Sequence, residues 1–204
     1  MTLQRTRPIS LVMAIVLAGC SVLEARTPDI GDGGFLSGLP CPAPCFYGVT
    51  PGSTQLHQAM EILRAADLCP NPAQFDSRPE GGTLGFNCGS RITVSSRDSD
   101  LPVDTVGFSP SELLTVGMVV EVRGSPDAVV VAPASIPESR RVAMFLLYDD
   151  VLAMLLLPEQ QGSVFRLPPS TSVERVGYLD EDAYKSVGLG SVPWAGFTSY
   201  SSDQ

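Results

Sequence analysis

Arg141-Val142-Ala143-Met144-Phe145-Leu146-Leu147-Tyr148-Asp149-Asp150-Val151-Leu152-Ala153-Met154-Leu155-Leu156-Leu157 is the longest apolar stretch of the chain outside its first twenty residues. Read as one helix, its apolar length approaches a membrane span, but two adjacent aspartates would then lie at its middle, where each ionised carboxylate costs several kcal/mol (~3 on insertion scales). Read as two strands, Arg141 to Tyr148 and Val151 to Leu157, it places Asp149-Asp150 at the turn of a hairpin, where charge is solvated. The hairpin is the cheaper reading, and it makes the second half of the chain β. Both faces of such a hairpin are apolar, so one packs on helices and the other needs a cover, from the chain or from a partner.

The flanks extend this pattern. Ala128 to Ala132 is a short apolar strand, and Val173 to Leu179 is another. The latter leads into Asp180-Glu181-Asp182 and a short helical piece ending at Val187, with carboxylates at the favourable end of the helix dipole. Upstream, Ser109-Pro110-Ser111-Glu112 has the layout of a capped helix start, and the Val-rich segment to Val122 ends at Gly124, a suitable C-cap. A strand over Met118 to Val122 is the competing reading, because Gly117 interrupts the segment. Earlier still, Leu56, Ala59, Met60 and Leu63 fall at i, i+3, i+4 and i+7, the spacing of one helix face. That helix follows the turn Thr50-Pro51-Gly52-Ser53 and stops near Asp67, before Pro70 and Pro72. Short β-like runs follow at Thr83 to Phe86, Arg91 to Ser95 and Val103 to Val106.

The fold class expected is α+β, with helices packed on one side of an antiparallel sheet. Gly48-Val49-Thr50-Pro51 and Gly107-Phe108-Ser109-Pro110 each precede a helix and a set of strands, an internal echo that suggests two related helix-plus-meander units, 46–107 and 108–187. Residues 188–204 form a tail with Trp194, Phe197 and Tyr200 three residues apart, spaced to dock along a groove of this domain or of a partner. Residues 20–45, rich in Gly and Pro, read as a linker.

Ahead of it, Arg5 and Arg7 precede an apolar run from Ile9 to Leu17, the layout of a signal peptide over 1–19 that is too short for a permanent span. Leu17-Ala18-Gly19-Cys20 resembles the bacterial lipobox, and the resemblance implies acylation of Cys20 and a lipid-anchored, extracytoplasmic domain held stably by two or more chains. Loss of residues 1–19, which carry those two arginines and no acid, moves the formal charge from −9 to −11. So acidic a domain is a poor match for nucleic acid or for an anionic lipid surface, both of which favour Lys/Arg patches. Four cysteines remain, Cys41, Cys45, Cys69 and Cys88, which in an exported chain read as disulfides. Local pairing, Cys41 with Cys45 and Cys69 with Cys88, needs the least assumption among three connectivities. A four-thiolate zinc site lacks the paired knuckles that such sites use.

No catalytic constellation is legible. His57, the one histidine, falls on the polar face of the first helix, and no Gly-x-Ser-x-Gly elbow supplies a nucleophile. Asp180, Glu181 and Asp182 lack the spacing of a calcium loop. Neither an enzymatic activity, a cofactor nor a metal is expected. A membrane-anchored protein-interaction module is the expected function, with Phe145 and Leu147 on the apolar strand face and the tail aromatics as its contact surface; an extracytoplasmic small-ligand or cation binder is the alternative.

Pro51-Gly52-Ser53-Thr54 ahead of the first helix, Gly124-Ser125-Pro126 after the second and Phe145-Leu146-Leu147-Tyr148 in the hairpin resemble the fold shared by the small barrel-assembly lipoproteins (the SmpA/OmlA family) and the tandem β-lactamase-inhibitor proteins. The resemblance covers roughly residues 46 to 180, and implies an envelope protein that works by binding other proteins.

Overall fold

The computed structural model describes residues 29–76, 82–133 and 141–201. Cys20 and residues 1–19, the expected signal segment, lie outside them. Three α-helices, α1 (Leu56–Ala65), α2 (Val116–Arg123) and α3 (Glu181–Val187), accompany eleven strands: β1 (Ala73–Asp76), β2 (Leu84–Cys88), β3 (Ile92–Ser96), β4 (Thr105–Phe108), β5 (Ala128–Pro133), β6 (Arg141–Tyr148), β7 (Ala153–Gln161), β8 (Val164–Arg166), β9 (Arg175–Leu179), β10 (Val192–Pro193) and β11 (Ser199–Ser201). The α+β class holds, weighted towards β. Nine strands form one antiparallel sheet in the order β1-β2-β3-β4-β9-β7-β6-β5-β10, and β8 pairs with β11 apart from it. Each of the first two helices is thus followed by four strands of this sheet, and the last strand of each set, β4 and β9, meet at its centre.

Alternation decides the two faces. Cys88, Ile92, Phe108, Val176, Leu155, Leu146 and Val129 stand in one register row across seven strands, and Phe86, Val94, Val106, Tyr178, Ala153 and Tyr148 in the next. All are buried. Together with Leu56, Ala59 and Leu63 of α1 and Val116 and Val119 of α2 they form the main core. Burying an aliphatic or aromatic side chain of this kind stabilises by about 1.5–3 kcal/mol, so these rows anchor the fold. The hairpin of residues 141–157 is observed: β6 and β7 are joined by a 3-10 turn over Asp149–Val151, with Leu152 in the left-handed region at φ 45°.

The Cys41–Cys45 and Cys69–Cys88 disulfides are both present, with Cα atoms 5.7 and 4.9 Å apart. The second ties the chain just past α1 to the end of β2.

Three expectations are corrected. The stretch 29–45 is no linker. Ile30, Phe35 and Phe46 are buried in the main core, and the turn between them is organised by Asp32, whose carboxylate accepts hydrogen bonds from the backbone N–H groups of Gly34, Leu36 and Ser37 and from Ser37 Oγ. Gly34, at φ 85°, is needed there, since a Cβ would stand 2.2 Å from the Cys41 carbonyl oxygen. Second, α2 does not start at Ser109-Pro110-Ser111-Glu112. Ser111 is committed elsewhere: its N–H donates to Gly31 O and its Oγ accepts from Ile30 N. The helix begins after Thr115, whose Oγ1 accepts from Met118 N. Third, the helices are not all on one side, because α3 lies on the opposite sheet face, over Leu147 and Leu179.

Candidate functional site

The face opposite the main core carries the row Asn87, Thr93, Gly107, Gly177, Met154, Leu147 and Ala128. It changes character across the sheet. The β2–β4 side presents Asn87, Thr93, Ser95 and Thr105; the β5–β7 side presents aliphatic and aromatic groups. At the centre two glycines face each other, with the Arg175 side chain beside Gly107 and Met154 beside Gly177. The next row, Val130, Phe145, Leu156 and Arg175, is half-buried; Val130 packs against the Leu147, Leu179 and Tyr184 cluster beneath α3, and Phe145 and Leu156 are not among the residues packed there.

Leu147 is corrected here: it is 2 % exposed, packed beneath Tyr184 of α3, and offers nothing to a partner. Phe145 keeps a free edge. Electrostatics and capping hold α3 in place. Asp180 caps it by accepting from Ala183 N, and Arg97 bridges to Asp180 at 2.7 Å and to Asp182 at 3.3 Å. Tyr184 Oη donates to Asp149 Oδ1. Burial and that carboxylate both raise the Tyr184 pKa, which keeps the phenol protonated and donating. The Asp180-Glu181-Asp182 run is therefore the acidic start of a helix, as its sequence suggests.

The tail folds back. β10 pairs with β5 and β11 with β8. Trp194 stacks on Tyr200 at 6.2 Å and meets Phe197 edge-on at 5.5 Å. Tyr200 is buried, its hydroxyl accepting from Ala195 N and donating to Gly196 O, so its expected role at a contact surface is also corrected. Trp194 is half-buried; Phe197, 41 % exposed, is the tail aromatic that solvent reaches.

Chemistry-bearing groups stay dispersed. His57 is exposed on the outward side of α1. Asp150 pairs with Arg123 at 3.1 Å. Among the described residues no group of three or more His, Cys, Asp or Glu side chains is placed to hold a metal ion, and no helix is long and apolar enough to cross a membrane.

One feature of the surface was missed by helical spacing. α2 is apolar around most of its circumference; Val116 and Val119 face the core, while Met118 and Val122 point outward, 45 % and 63 % exposed. With Leu36 and Leu113 they line an open groove of about 290 Å³ bordered by Asp32 and Glu112. The run of valines was the available signal, since a helix apolar all round is expected to be covered on every side.

No family model, curated protein or solved structure matches this chain.

Proposed function

We propose that the chain is a lipid-anchored protein of the bacterial cell envelope whose folded part binds another protein and catalyses no reaction. The observation that carries the reading is Cys20 directly after Leu17-Ala18-Gly19, behind a basic start and an apolar run. Two disulfides support an oxidising, extracytoplasmic compartment. The half-buried neighbours Phe145 and Leu156, beside the cluster that α3 covers, support a protein partner, since contiguous apolar side chains that solvent partly reaches are where such partners dock. We further infer that α1 with β1–β4 and α2 with β5, β6, β7 and β9 are two related units. The order of one helix and four strands, occurring twice and joined at β4–β9, supports both this and the resemblance to the tandem inhibitor and barrel-assembly folds.

The anchor is tested by the intact mass of the chain isolated from membranes: Cys20 bearing acyl groups at the mature N-terminus is expected, and an unmodified Cys20 rejects the anchor. The partner is tested by a photo-crosslinking residue at Phe145 in native membranes, with the same residue at His57 as comparison. A discrete heterologous adduct from position 145 that position 57 does not give is expected. Equal labelling from both positions rejects Phe145 as the contact surface.

A further inference from the structure

Among the described residues, half of the conspicuously exposed large hydrophobic side chains gather on one side. Leu39, Leu113, Met118 and Val122 are 71 %, 75 %, 45 % and 63 % exposed. Asp32, Ser37 and Glu112 join two adjacent hollows, one lined also by Asp29, Tyr47 and Leu39, the other by Leu113, Met118 and Val122. The patch thus begins where the described chain begins, at Asp29.

We propose that this patch, centred on the outward side of α2, rests in the interfacial layer of the bilayer that holds the Cys20 acyl chains, so that the domain is docked on its membrane rather than swinging from it. The proposal rests on the lipid-anchor reading. Length is its first support. Only residues 21–28 separate Cys20 from Asp29, and even fully extended they reach about 30 Å at most. A globular chain of this size is about 40 Å across. The tether is shorter than the domain is wide, which keeps the side bearing Asp29 nearest the bilayer.

Chemistry is the second support. The patch is aliphatic, the composition that gains most from the acyl boundary, and interfacial binding grows with buried apolar area. Its acids do not oppose this on a zwitterionic surface. The Asp32 carboxylate is turned inward onto its four donors, and Glu112 lies on the border beside Leu113. The Phe145 row, on the opposite sheet face, is left directed away from the membrane for a protein partner.

The test uses the full, acylated chain in vesicles of phosphatidylcholine with brominated acyl chains, which quench a tryptophan only at close range. Trp194 is the one native tryptophan; Trp194→Phe removes its signal and keeps an aromatic ring beside Tyr200. In that background Leu113→Trp is expected to give blue-shifted emission that brominated lipid quenches, and Phe145→Trp emission that it does not. Slowed amide exchange over Met118–Val122 of the unsubstituted chain on vesicles, relative to detergent, is the companion measurement and needs no substitution. A chain that floats with the vesicles while the Leu113→Trp indole stays unquenched and the amides stay unprotected overturns the docking and leaves the anchor standing. Quenching at both positions overturns it too, as does a blue shift that rises with protein concentration and ignores bromine, which marks a second copy as the occupant. A chain that does not float and carries no acyl mass on Cys20 overturns the anchor reading itself.

Discussion

Asp32 shows how much one side chain organises in a segment without regular structure. Burial raises its pKa, but hydrogen bonds from Ser37, Leu36 and Gly34 outweigh that effect and hold it below the ordinary 3.8. A folded-state value below the unfolded one stabilises fully above the unfolded pKa and loses that contribution as pH falls through the folded value. Asp32→Asn is therefore expected to cost about 1 kcal/mol near neutral pH, given partial solvent screening, and to flatten the acid limb of a stability-versus-pH curve below pH 3.8. Urea titrations of both proteins across that range check it. The same segment explains what the sequence hides: Ile30, Phe35 and Phe46 are single buried residues among glycines and prolines, and single residues have no period to detect. Tyr178, whose hydroxyl donates to Gly33 O, and Arg123, which donates to Phe35 O and covers its ring at 4.8 Å, are the partners that fold it, and both are far away in the chain.

Among the elements, those with period or punctuation were legible. α1 was marked by Leu56, Ala59 and Leu63, β6–β7 by apolar runs around Asp149-Asp150, and α3 by its acidic start. α2 was legible as a helix but not in its boundary, because Ser111 serves a tertiary contact with Ile30 that no local rule anticipates. Phe145 and Leu147 look equivalent in the sequence, both facing the same way on β6, and only the placement of α3 separates them. That placement rests on modest forces. Arg97 is half-exposed, so Arg97→Ala is expected to change global stability by no more than about 1 kcal/mol while amide exchange within Glu181–Val187 quickens. Unchanged exchange there would show the ion pairs to be idle. The disulfides differ in weight. Cys69–Cys88 spans 19 residues and Cys41–Cys45 spans 4, so opening the longer loop to serines should cost about 3 kcal/mol and the shorter one less, as paired denaturant midpoints would record.

At the scale of the whole molecule the two halves share one sheet and one core. Phe108 of β4 stacks on Phe46 at 4.5 Å and meets Tyr178 of β9 edge-on at 5.4 Å, all three rings fully buried. No linker separates the halves at this seam, so a single cooperative unfolding transition is expected, with far- and near-ultraviolet circular dichroism coincident. Two resolved transitions would show the halves to be independent.

The seam also sets an order of assembly. A ribosome or export channel releases the chain from its N-terminus, and β4 is out long before β9, which starts only at Arg175. Until then the first meander has an open, unpaired edge at its most apolar strand, and Phe108 and Gly33 have no Tyr178 to close over them. Pairings this distant in sequence make folding slow and leave intermediates prone to association. The nascent protein is thus committed to completing nearly its whole length before its first half is protected, and a chain truncated ahead of Arg175 would be expected to aggregate rather than fold as a smaller domain.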